Sequence, residues 1–171
     1  MAPATIKLIS KDKKLEGGLT IMLEELEARL KVLEDIDAIK KLKATFAHLI
    51  DAGNWGALVN LFTDDGALVS VSERHKGKAE LTKYFSSLPY SFMMHMYHVP
   101  VIEVKGDKAT GEWYFEVPVT HAEKNKALWI AGKYEDEYVK VNGVWKIKTL
   151  GFTIYYITPY EDGWVKTKMF E

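Results

Sequence analysis

Cysteine is absent from the 171 residues, which excludes disulfides, thiolate nucleophiles and sulfur-ligated metals. Nothing points to an oxidising compartment, and a cytoplasmic site is expected. A surplus of charge is absent too: 23 Lys and Arg against 24 Asp and Glu leave a net charge of -1. Neither nucleic acid nor an anionic membrane is therefore an expected partner. No run reaches the roughly 18 apolar residues of a membrane-spanning helix. The opening MAPATIKLISKDKKLEGG carries lysines throughout and lacks a sustained apolar core, so residues 1–18 read as a flexible leader, neither signal peptide nor anchor. Also missing are HExxH, GxGxxG, a P-loop and a GxSxG elbow, which sets aside zinc proteases, nucleotide cofactors and serine hydrolases.

What is present is the composition of a globular domain, 47% apolar and 27% charged, and residues 19–171 read as one domain. Leu19, Leu23, Leu26, Leu30 and Leu33 recur at spacings of four and three among Glu and Arg. This predicts an amphipathic helix over 19–34 whose narrow stripe suits packing either on its own domain or on another subunit. Asp35 reads as the N-cap of a second helix, with Ile36, Ile39, Leu42, Phe46, Leu49 and Ile50 on one side and Ala44, Ala47 and Asp51 on another. Gly53 ends that helix and Asn54 caps a short one from Trp55. Thr63 to Gly66 reads as a turn, Ala67 to Ser72 as a strand and Lys78 to Ser87 as a helix. Beyond Pro89, four β-rich runs are expected at about 93–104, 108–120, 127–141 and 144–157. Asn142-Gly143 predicts a two-residue type I′ hairpin between the last two. Helices first and a meander afterwards give an α+β fold: a curved mixed or antiparallel sheet wrapped around the N-terminal helices.

Five histidines invite a metal, but His95 and His98 are three apart on an expected strand, which sends their rings to opposite faces. No metal site is expected. His95 lies in Met93-Met94-His95-Met96-Tyr97-His98, soft apolar and imidazole side chains at a strand start. Asp51, at a helix C-terminus where the dipole favours cations, invites a partner. A carboxylate accepting the imidazole N–H would fix the ring's tautomer and leave the other nitrogen as a general base.

The stretches Ile36 to Phe62 and Met94 to Glu116 resemble the SnoaL-like branch of the NTF2-like superfamily, over about residues 20–160. The His-Met-x-His-x-Pro and Ala-Thr-Gly-x-Trp-Tyr runs are similar in particular to those of bile acid 7α-dehydratases. Scytalone dehydratases and hexachlorocyclohexane dehydrochlorinases are more distant. The resemblance implies a cone with an apolar pocket and metal-free, cofactor-free elimination or isomerisation of a hydrophobic cyclic small molecule. His95 would be the base and Asp51 its orienting acid. It further implies a homo-oligomer, with a trimer expected ahead of a dimer, and a pocket wall drawn from Phe46, Tyr97, His98, Trp113, Phe115, Val117, Trp129 and Ile154. Phe46, Val117 and Ile154 stand where bile acid dehydratases carry polar residues, so little turnover of bile acids is expected. Tyr97, Tyr114, Trp129, Tyr134, Tyr155 and Tyr156 are candidates to supply the missing polar help. A module that binds an apolar molecule without reaction is the alternative.

Overall fold

The computed structural model describes residues 4–170, with side chains described from Gly18 onward. It divides into two compact units, residues up to Asp37 and residues from Ala38. The first helix, α1, is a single element, Ala4–Asp51. There is no break at Asp35. From Leu19 to Asp51 the chain contains neither Gly nor Pro and is rich in Leu, Glu, Lys and Ala, so helix propagation outweighs the capping tendency of one aspartate. The helix also runs through 4–18, read above as leader; residues 1–3 lie outside the described residues.

In the unit from Ala38, the end of α1 buries Ile39, Phe46, Ala47 and Ile50. A short helix, α2 (Trp55–Val59), follows, capped as expected by Asn54, whose side-chain oxygen accepts from the Ala57 N–H at 3.2 Å. Strand β1 (Phe62–Val69) then starts earlier than the sequence implies. The Thr63 to Gly66 stretch is an irregularity inside the strand, where its register against the last strand shifts, and not a turn before it. After β2 (Arg74–Lys76) and α3 (Lys78–Ser86) come β3 (Tyr90–Met93), β4 (Met96–Lys105), β5 (Lys108–His121), β6 (Lys126–Val141) and β7 (Val144–Pro159), then a one-turn helix, α4 (Gly163–Lys166).

The strands form one strongly curled mixed sheet in the order β2-β1-β7-β6-β5-β3, with β4 also paired to β5. Pairing of β1 with β7 is parallel; the other pairs are antiparallel. Asn142 and Gly143, both at positive φ (51° and 81°), make the β6–β7 turn, as a type I′ hairpin requires. Alternation along β5 buries Ala109, Trp113, Phe115, Val117 and Val119 on the inner face, and these pack with Ile39, Phe46 and Ile50 of α1 in one core. Gly132 lies at one of the register shifts between β6 and β7. A Cβ there would sit 2.2 Å from the Thr153 carbonyl oxygen and 2.7 Å from the Phe115 ring, so only glycine lets β7 cross so close to β6.

Candidate active site

Two chain interruptions meet on the inner face of the sheet. Asp51 is the last residue of α1, and His95 occupies the gap between β3 and β4. The expected 93–104 strand is split there: Met94 still bonds to the Pro118 carbonyl of β5 at 3.2 Å, but the ladder resumes only at Met96. The freed His95 backbone N–H donates to Asp51 Oδ2 at 2.9 Å and is 3.2 Å from Oδ1. The His95 ring nitrogen Nδ1 lies 2.6 Å from Asp51 Oδ1. An ionised carboxylate can only accept, so Nδ1 carries the proton and Nε2 the lone pair. Asp51 thus grips the same residue through its main chain and its ring, which offsets its poor position at a helix C-terminus. The His95 side chain is 7% exposed and that of Asp51 22%.

His95 forms part of the wall of a cavity of about 120 Å3. The remainder of the wall is aliphatic and aromatic, including Phe46, Ile50, Phe85, Phe115, Val117 and Ile154, with phenols from Tyr84, Tyr90 and Tyr134. The SnoaL-like domain family matches residues 31–151. The chain belongs to that family. Over 76% of its length it superposes on 91% of a type 2 hexachlorocyclohexane dehydrochlorinase, with a TM-score of 0.72 and 25% identity. A scytalone dehydratase-like protein of Novosphingobium aromaticivorans DSM 12444 is 20% identical, with a TM-score of 0.69 over 75% of this chain and 89% of that one. An NTF2-like protein of cystatin-like fold from N. aromaticivorans is 23% identical, with a TM-score of 0.63 over 75% and 87%.

Several residues expected in the wall of this SnoaL-like pocket lie elsewhere. His98 is exposed, 3.9 Å from Glu116, because the two-residue period of β4 sends it to the face opposite Tyr97. Trp129 likewise faces away from its neighbours Leu128 and Ile130 and stacks on Tyr160 at 6.5 Å and 14°. Tyr97 is on the inner face but stands behind His95, with ring centroids 6.1 Å apart, and packs on Tyr134 at 5.6 Å. Trp113, next along the same face, donates from Nε1 to the Tyr138 hydroxyl at 3.1 Å. Of the tyrosines expected as polar helpers, Tyr114 and Tyr155 pair with each other at 6.3 Å, and Tyr156 stacks on Trp164. Only Tyr134 is in the wall.

The sequence reading missed what supports Tyr134. Lys43 and Asp136 are fully buried side chains joined at 2.7 Å. Asp136 also accepts from the Tyr138 hydroxyl at 2.7 Å. The Lys43 ammonium lies 3.6 Å from the centre of the Tyr134 ring, 5.0 Å from Tyr97 and 5.5 Å from Phe46, so three ring faces share the cation. Burial pushes the Lys43 ammonium down from its usual range and the Asp136 carboxyl up, and each is opposed by its partner. Burial also raises the Tyr134 phenol and brings Tyr84 up to about 12. Both hydroxyls stay protonated at neutral pH. A signal existed: Lys43 falls in the Ile39, Phe46, Ile50 row at helical spacing, and Asp136 alternates with Tyr134 and Tyr138 on an inward-facing strand.

A second hollow, an open groove of about 920 Å3, is lined by Lys78, Lys105, Lys148, Asp64, Asp65 and Glu103 among others, and His95 does not line it. Six of its charges are paired: Lys78 with Asp64 at 2.9 Å, Lys148 with Asp65, and Lys105 with Glu103 at 3.6 Å. Among the described residues no cluster of His, Asp and Glu could hold a metal ion.

Proposed function

We propose that this SnoaL-like domain is a lyase that eliminates a leaving group from a small, hydrophobic, monocyclic molecule. The observation that carries the reading is a histidine fixed at ring and main chain by one aspartate, at the wall of an otherwise apolar cavity. Nε2 of His95 takes a carbon-bound proton, the C–H electrons become the new double bond, and the group on the adjacent carbon departs with its bonding pair. A halide leaves as the anion; a hydroxyl leaves as water by taking the proton back from the imidazolium. Asp51 stabilises that imidazolium. Tyr134 donates a hydrogen bond to the departing atom, the role that Phe46, Val117 and Ile154 cannot fill. The dehydrochlorinase and dehydratase-like neighbours support this class of reaction.

Size supports a single ring. A cavity near 150 Å3 is known to hold benzene, and this one, about 120 Å3, is of that scale. A suitable test incubates the protein in D2O with monocyclic compounds bearing a halide or hydroxyl next to an acidified C–H and follows loss of HX or water by mass spectrometry. Compounds that raise the unfolding temperature yet neither react nor exchange deuterium would leave a binding module and no enzyme. With a reacting compound in hand, Tyr134→Phe should lower kcat by about 10²-fold, the usual consequence of removing one donor to developing negative charge, with KM changed much less. An unchanged kcat would remove Tyr134 from the mechanism.

A further inference from the structure

In the unit ending at Asp37, α1 is the sole element among the described residues. Leu19, Leu23, Leu26, Leu30 and Leu33 are 49% to 63% exposed, so nothing within that unit covers the stripe. Its spacing of four, three, four and three is that of a coiled-coil seam and not of the broader face a helix turns to a globular core. Leu19 to Leu30 also precede the family match at residues 31–151; the SnoaL-like domain as such does not account for them. We infer that residues 19–33 form a parallel coiled coil with a second copy of this chain.

The occupant and its direction follow from the flanks. With Leu23 and Leu30 at a positions and Leu19, Leu26 and Leu33 at d, Glu27 and Glu34 take e positions and Arg29 a g position. In a parallel, in-register pair each g residue meets the e residue five places on in the other copy, which sets Arg29 against Glu34. An antiparallel pair centred on Leu26 would instead bring Glu27 close to its own copy, a like-charge contact. The seam is bounded, because the next a positions on either side are Glu16 and Asp37. The joined stretch is therefore short and keeps the copies in one register.

The absence of cysteine makes a clean test possible in the full-length chain. Leu19→Cys alone should crosslink to its own copy on mild oxidation, whereas mixing Leu19→Cys with Leu33→Cys should give no more mixed product than chance pairing. Adding Leu26→Glu and Leu30→Glu should abolish the crosslink, with the folded domain reported separately by its near-ultraviolet circular dichroism. Arg29→Glu should weaken crosslinking, and Arg29→Glu with Glu34→Arg should restore it. Preferential joining of Leu19→Cys to Leu33→Cys would overturn the parallel arrangement. A Leu19→Cys chain that stays uncrosslinked while the domain remains folded would overturn the coiled coil itself.

Discussion

Replacing His95 by Gln lowers kcat for the elimination by about 10³-fold, within the span general-base catalysis usually contributes, while the unfolding temperature moves little. The separation follows from how Asp51 holds this residue. One grip is the main-chain N–H of residue 95, which any residue but proline keeps. A glutamine amide N–H can reach toward the carboxylate where Nδ1 did, so the β3–β4 gap stays pinned. The nitrogen lone pair at the cavity wall is lost, and with it the proton acceptor. Stopped-time assays with a reacting compound, together with thermal unfolding, decide the matter. A rate within a few-fold of wild type would mean that the base is another group.

The second large effect is on stability. Lys43→Met removes the cation paired with Asp136 at 2.7 Å, and Asp136, 2% exposed, is left a buried carboxylate without that ion-pair partner. Breaking one side of such a pair costs roughly 3–5 kcal/mol, which in a chain of this size lowers the unfolding midpoint by on the order of 10 °C. Lys43→Met combined with Asp136→Asn should recover much of the loss. The amide oxygen still accepts from the Tyr138 hydroxyl, and no uncompensated charge remains. With Asp136→Asn alone measured as well, the three variants and the wild type form a double-mutant cycle; strictly additive losses would show that the ion pair contributes nothing of its own. Both variants lack the ammonium that lies over the Tyr134 ring, so Asp136→Asn alone, which keeps it, is the fairer background for activity.

Local chemistry made much of this molecule legible. Asn54 caps α2, Asn142-Gly143 turns β6 into β7, and the alternation of β5 separates Phe115 and Val117, inside, from Tyr114 and Glu116, outside. The Asp51 and His95 positions came from resemblance to a family together with the oddness of an acid at a helix end, and their contact is a tertiary fact that spacing alone could not supply. The two-residue period of a strand also places His98 and Trp129 on the outer face, away from the wall. Lys43 escaped notice because a lysine in a helix reads as solvated until its place in the apolar row is counted. The missed boundary at Asp35 has the opposite cause. A good capping residue does nothing where the helix has no reason to stop.

The parallel pairing of β1 with β7 also sets an order of events during synthesis. Phe62 has its ladder partner at Ile147 and Leu68 at Leu150, Lys43 waits for Asp136, and Asp51 waits for His95. The inner face of α1 therefore leaves the ribosome long before the strands that cover it, and contacts so distant along the chain close slowly. Until β5 and the strands after it have emerged, Ile39, Phe46 and Ile50 lack much of the core that buries them, a period in which chaperone engagement or association with a neighbouring nascent copy competes with folding.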